Sequence, residues 1–212
     1  MKKLNPFDGL TEKEKQNLIE NLNAHLYSFN KGEEILTTIS GKNIVGIILE
    51  GSTKLILNNY KGEEILIEEY VKDSIFGTYI CDINNVDSKM YAQEATNVLI
   101  IDYNILISDL LNQKEWYNKF IKNLFKILII RIGEYNYRLR ILSKKTIRDR
   151  LIEFFNIERE TKHSKTFMLR MPLKDLADYL SVNRSAMFRE LKYLKEDNIL
   201  TIYNRKVTLL YD

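Results

Sequence analysis

Residues 173–194 read Leu-Lys-Asp-Leu-Ala-Asp-Tyr-Leu-Ser-Val-Asn-Arg-Ser-Ala-Met-Phe-Arg-Glu-Leu-Lys-Tyr-Leu. The spacing predicts two short helices joined by a tight turn. Leu176, Ala177 and Leu180 form the inner face of the first, and the small Ala177 permits a close crossing. Ser181-Val182-Asn183 makes the turn, with Asn183 as the N-cap of the second helix. Ala186, Met187, Leu191 and Leu194 hold that helix to the body, while Arg184, Ser185, Phe188, Arg189 and Lys192 share its other face. An arginine near the start of a helix in the major groove can grip guanine O6 and N7, and a lysine further along suits phosphate. An ordinary helical hairpin with a basic solvent face has the same pattern. The next residues argue against that reading. Residues 199–203, then Asn204-Arg205-Lys206, then 207–211 predict a β-hairpin with a basic tip, with Arg205 and Lys206 placed to touch phosphates.

The rest of the chain differs from this end in charge and in glycine. Residues 143–212 hold 15 Lys+Arg against 10 Asp+Glu, leaving 17 against 19 in residues 1–142. A basic C-terminal third points to a polyanion partner. All eight glycines lie at or before Gly133, seven of them in the first 77 residues. Glycine marks sharp turns, so the N-terminal part reads as turn-rich and the last 79 residues as mostly helical.

Thr11-Glu12-Lys13-Glu14 fits a capping box for a helix to about Asn23 that buries Leu18, Ile19 and Leu22. Short β-type runs follow at 34–39, 44–49, 53–57, 65–70 and 98–103, several alternating apolar with polar residues. The hexamer Lys-Gly-Glu-Glu-Ile-Leu occurs at 31–36 and again at 61–66, which suits two hairpin-like units in a small barrel or roll. From about Leu110 the pattern turns helical for over thirty residues. Tyr117, Ile121, Leu124, Leu128, Ile132, Tyr135, Leu139 and Leu142 are spaced by three or four, with a second stripe through Trp116, Phe120, Ile127 and Ile130. Two stripes call for two partners: the roll, and a second copy of the helix in a coiled-coil dimer. A helix buried inside one monomer is the alternative. Gly133 is expected to mark a bend or a close helix approach. Ser143 is expected to cap a further helix over 144–157, followed by a polar loop over 156–165 and a short strand through Phe167, Leu169 and Met171 that ends at Pro172.

Composition excludes several classes. The chain has 212 residues, 45% hydrophobic and 29% charged, which is enough for one large or two small packed domains and excludes a disordered or collagen-like chain. No apolar run follows the start, and none is long enough to span a bilayer, so a cytoplasmic protein without a membrane partner is expected. A single cysteine, Cys81, excludes an intramolecular disulfide framework and a cysteine-ligated iron–sulfur cluster.

The sequence resembles the Crp/Fnr family of bacterial transcription regulators over nearly its whole length. The resemblance is carried by Gly32-Glu33, by Leu49-Glu50-Gly51, and by Gly62 followed by a strand and then Phe76-Gly77. It continues through the long helix, through Ser143 to Arg150-Leu151, and through Asp175-Leu-Ala-Asp-Tyr-Leu-Ser-Val-Asn-Arg. It implies an α+β fold: an N-terminal jelly-roll, cyclic-nucleotide-binding-like effector domain (1–109), a dimerisation helix (110–142) and a C-terminal winged helix-turn-helix (143–212). It also implies a homodimer on a palindromic double-stranded DNA operator, with RNA polymerase as a further partner. Arg184, Ser185 and Arg189 fall where the family reads bases. Ser185 stands where glutamate is common and Ser181 where glycine is common. Phe188 sits at a position that is usually small, where it can touch a thymine methyl.

Members that bind cyclic AMP hold its phosphate with an arginine. The matching stretch here, 77–95, has none, and Lys89 is its only basic residue. A buried phosphate needs a charge-assisted partner, so cyclic AMP is not expected. The effector is left unknown. A haem or redox sensor using Cys81 or one of the two histidines, His25 and His163, is one alternative, and a regulator without a small ligand is another. Cys81 as a small residue with no role is the plainer reading. An enzyme of the cupin type needs clustered histidines and a carboxylate, which two histidines this far apart do not provide, and no catalytic or metal-binding set stands out.

Overall fold

The computed structural model describes residues 4–39, 42–58, 60, 62, 64–81, 83 and 87–211. The chain divides into two compact units, Met1–Ile130 and Arg131–Asp212.

The first unit opens with α1 (Glu12–Asn21). Its capping box is formed: Thr11 Oγ1 accepts the Glu14 N–H, and Glu14 Oε2 accepts the Thr11 N–H at 2.7 Å. Leu18 and Leu22 are buried as expected, but Ile19 is exposed. Seven strands follow: β1 (His25–Phe29), β2 (Ile44–Glu50), β3 (Ser52–Asn58), β4 (Glu64–Val71), β5 (Ile75–Gly77), β6 (Ser88–Ala92) and β7 (Thr96–Asp102), with the short helix α2 (Leu36–Ile39) after β1. They form two antiparallel sheets, ordered β1-β7-β2-β5 and β4-β3-β6.

The first sheet is covered on both faces, which is why Ile44, Val45, Ile47 and Ile48 are all buried instead of alternating. Ile44, Ile48, Val98 and Ile100 face the roll interior with Phe76, Leu55 and Met90. Val45, Ile47, Leu99 and Ile101 face α1 and the start of the long helix. Gly46 belongs to the interior packing, since a Cβ there would stand 2.3 Å from the Phe76 ring.

The strand expected at 34–39 is not there. Glu34 makes one bridge to Tyr91, and residues 36–39 are helical. Ile35 and Leu36 are adjacent and both buried; a strand would turn them to opposite faces. Three strands, β1, β5 and β6, lie outside the expected runs. β5 has only three residues, and β6 buries Ser88, Met90 and Ala92, types that give little β signal.

Asp102 caps α3 (Tyr103–Leu106), accepting the Asn104 N–H at 2.8 Å. After a 3-10 turn at Asp109–Leu111 comes α4 (Glu115–Leu142), which starts five residues later than the expected Leu110. Its first turns pack inward: Trp116, Tyr117, Phe120 and Leu124 join Leu18, Leu22 and Ile47. This corrects part of the expected dimer stripe. Tyr117 donates its hydroxyl hydrogen to the Leu106 carbonyl, and Leu124 is buried beside it, so neither faces outward. Ile121 is half-buried against the same cluster. The outward face instead runs through Phe125, Leu128, Ile132, Tyr135 and Leu139, a regular three–four alternation that begins at a residue absent from the sequence reading. A Cβ added at Gly133 would meet nothing within 4 Å, so packing inside the protomer does not demand glycine there.

In the second unit α5 (Ile147–Lys162) is capped by Thr146, not Ser143: Thr146 Oγ1 accepts the Asp149 N–H at 3.0 Å. The polar loop expected from 156 is helix as far as Lys162. Ile157 and Glu158 are buried, and Glu158 pairs with Lys162 at 3.0 Å and Arg170 at 3.3 Å. β8 (Thr166–Met168), α6 (Leu173–Tyr179), α7 (Arg184–Glu196), β9 (Leu200–Tyr203) and β10 (Lys206–Leu209) complete the chain, with sheet order β8-β10-β9. Among the described residues no helix is long and apolar enough to cross a membrane.

Candidate nucleic-acid interface

α6 is anchored by Leu176, Ala177 and Leu180, all fully buried. Tyr179 on its last turn stacks edge-on with Phe154 at 5.8 Å between ring centres, under the Arg138 guanidinium. Burial pushes the Tyr179 hydroxyl pKa above its ordinary value, so the ring stays neutral beside these charges.

The helix then stops abruptly. Val182 N–H donates to the Ala177 carbonyl at 3.0 Å and Ser181 N–H to that of Asp178 at 3.1 Å. This closing pattern requires a left-handed residue, and Ser181 takes it with φ +52°. Asn183 then caps α7, its Oδ1 accepting the Ala186 N–H at 3.2 Å and the Ser185 hydroxyl at 2.6 Å.

α7 is two-faced. Met187, Leu191 and Leu194 are buried in a cluster with Leu151, Phe155, Leu200 and Val207. Arg184, Ser185, Phe188, Arg189 and Lys192 are exposed together, as read from the sequence. Phe188 is 42% exposed, an apolar ring among cations. Arg184 stands 3.6 Å from Asp178, and Lys192 is 3.6 Å from Glu196. Exposed pairs of this kind contribute about 0–1 kcal/mol, less than the roughly 1–3 kcal/mol of a good bidentate base contact. The Asp178 pair therefore leaves Arg184 available to a stronger partner.

β9 and β10 pair tightly, with Tyr203 opposite Lys206 and the loop Asn204-Arg205 between them. Asn204 takes the left-handed turn position at φ +53°. Arg205 and Lys206 are exposed at the tip. Tyr203 beside them is 80% exposed.

Cys81 lies elsewhere, in the first unit, half-buried against the roll interior, with its thiol 3.6 Å from the Gly77 carbonyl. The interior it borders is filled by Tyr70, Phe76, Met90 and their aliphatic neighbours. His25 opens β1, whereas His163 terminates α5 in a left-handed conformation. Against the outer face of the first sheet, α4 borders a cavity of about 330 Å³ lined by Val45, Tyr79, Tyr103, Leu106, Ile121 and other uncharged residues.

Neither the known family models nor the curated protein sequences contain a match to this chain. Solved structures do share its fold. CprK in complex with OCPA matches with a TM-score of 0.62 and 18% identity over 95% of this chain and 92% of that one. A CooA variant from Carboxydothermus hydrogenoformans matches at 0.59 and 18% identity, over 92% and 86%. The catabolite activator protein of Thermus thermophilus matches at 0.51 and 18% identity, over 96% and 92%. This chain shares the fold of CprK, CooA and the catabolite activator protein.

Proposed function

We propose that this chain is a dimeric, sequence-specific transcription regulator of the Crp/Fnr type and not an enzyme. The observation that carries the reading is the division of α7: one face is sunk in the core while Arg184, Ser185, Phe188, Arg189 and Lys192 stand exposed on the other. Arg184, Ser185 and Arg189 read base edges from the first turns of α7, and Phe188 contacts a thymine methyl. Lys192, Arg205 and Lys206 hold phosphates. The outward seam of α4 joins two copies, so that two reading helices meet half-sites about 34 Å apart on a palindrome. RNA polymerase is the protein partner of the bound dimer, and the cytoplasm its compartment.

The response is not to cyclic AMP in this reading. The apolar side chains filling the roll interior and the arginine-free stretch 77–95 support that. The effector is a different small molecule, or there is none. Haem ligated through Cys81 is the less favoured form, because that thiol faces the Gly77 carbonyl from a half-buried position.

Selection from random duplex DNA at two salt concentrations tests the function. Wild type enriches a two-fold sequence. Arg184→Ala loses on the order of 1–3 kcal/mol on it and relaxes one base pair per half-site. Lys206→Ala weakens all sequences alike and flattens the salt dependence. Failure of wild type to enrich a two-fold sequence at either salt, with or without added cell extract, would refute sequence-specific regulation.

A further inference from the structure

Arg150, near the start of α5, lies off the reading face and is half-buried. Its guanidinium donates from Nε to the Lys144 carbonyl at 3.0 Å and from Nη1 to the Leu180 carbonyl at 3.1 Å. Longer contacts reach the Ser181 carbonyl from Nη1 at 3.3 Å and the Leu142 carbonyl from Nη2 at 3.4 Å. Leu142 is the last residue of α4, and Leu180-Ser181 ends α6. One planar group thus serves carbonyls at the C-terminal ends of two helices. Helix geometry leaves such carbonyls unpaired, and they carry the negative end of each helix dipole.

Each segment also has contacts of its own: at the joint Arg140 and Lys144 pair with Glu153 at 2.7 and 3.2 Å, and at the turn Leu180 is fully buried. The α4–α5 joint keeps Ser143 N–H on the Leu139 carbonyl and Lys144 N–H on that of Ile141. The turn rests on a left-handed serine, a conformation that costs a residue other than glycine roughly 1–2 kcal/mol. A strained turn needs outside support, and Arg150 supplies it from the joint side.

We propose that Arg150 is a positioning residue that couples the end of α4 to the reading helix. It holds the turn at 180–183, and with it the Asn183 cap, Arg184 and Ser185, to the joint at 142–146. A shift at the joint is then felt at the first turn of α7. The proposal rests on the DNA-binding reading above for its consequence, but not for the coupling itself. The fork of the guanidinium is essential, because it spreads donors over three nitrogens in a fixed plane, whereas the three donors of a lysine all sit on one nitrogen.

The test uses the full chain as wild type, Arg150→Lys and Arg150→Met, with hydrogen exchange read at single amides. In wild type, Ser143 and Lys144 of the joint open together with Ser181 and Val182 of the turn. In both variants all four exchange at least about tenfold faster, the scale expected for losing charge-assisted bonds, while Leu191 and Leu194 in α7 keep their protection. Acceleration of one segment alone, or an equal acceleration at Leu191 and Leu194, overturns the coupling. Full restoration by lysine overturns the role of the fork. On the operator enriched by wild type, Arg150→Lys binds about tenfold more weakly with an unchanged salt slope, since no phosphate contact is lost; unchanged affinity also counts against the proposal. If wild type selects no operator, the functional reading fails, and the exchange measurement still decides the coupling.

Discussion

The hexamer that begins at Lys31 and the one that begins at Lys61 have the same letters and opposite fates. Lys61 and Glu63 of the second copy lie outside the described residues. Both copies place glycine in a left-handed turn, with φ +85° at Gly32 and +77° at Gly62. After the turn they part. In the first copy Ile35 is 0% and Leu36 8% exposed, inside the roll. In the second, Ile65 is 45% and Leu66 54% exposed, on strand β4 at the edge of its sheet. Six residues specify the turn, and the surroundings decide what the two aliphatic side chains contribute. α4 repeats the lesson along one helix, with Leu124 buried and Ile132, two turns on, 58% exposed.

The largest expected contrast is in the hexamers. Ile35→Ala empties a fully buried site and should lower unfolding free energy by about 2–5 kcal/mol. Ile65→Ala should change it by less than about 0.5 kcal/mol. Denaturant titration of the two variants checks this, and equal losses would mean that Ile65 is covered in solution.

α4 gives the next contrast. Wild type at micromolar concentration should scatter light as about twice 25.1 kDa. Ile132→Asp should give a folded 25.1 kDa species, because two copies would otherwise bury facing carboxylates. Leu124→Asp should instead unfold the first unit, where that side chain packs. A wild-type monomer would remove the second copy from the comparison.

The smallest effect concerns Glu33. Its carboxylate accepts the Asn30 N–H at 2.7 Å and the Asn30 amide at 3.1 Å. The backbone bond is the main reason its pKa lies below the ordinary 4.5. A lowered carboxylate contributes stability above its unfolded pKa and loses it as pH falls through the folded one. Melting of wild type should therefore weaken below about pH 4.5 by slightly more than melting of Glu33→Gln. Superimposable acid limbs would show that this turn holds without the charge.

The winged helix-turn-helix was legible because its signals are local: apolar spacing, an asparagine cap and a basic hairpin tip all sit within forty residues. The Thr11 capping box was legible for the same reason. The faces of α4 were only half legible. The apolar stripes show that two partners exist, but not which residue turns to which. The steps from Leu124 to Leu128 to Ile132 are four and four, whereas Phe125, Leu128, Ile132, Tyr135 and Leu139 alternate three and four. The absence of glycine after Gly133 was read as helix, yet the tail still turns sharply at His163, Ser181, Asn198 and Asn204, all at positive φ. Arg150 could not be assigned a role from spacing, because the carbonyls it holds lie up to 31 positions away.

β4 has a consequence for handling the protein. It presents Ile65, Leu66 and Ile67 along a sheet edge, flanked in sequence by Glu64 on one side and Glu68 and Glu69 on the other. An apolar edge strand is a template for pairing with another chain, and charges on it act as gatekeepers. Like charge on every copy keeps these edges apart in dilute buffer. Salt shortens the reach of that repulsion to a few ångströms near 1 M. Colloidal stability of this chain should therefore fall at this strand as ionic strength rises.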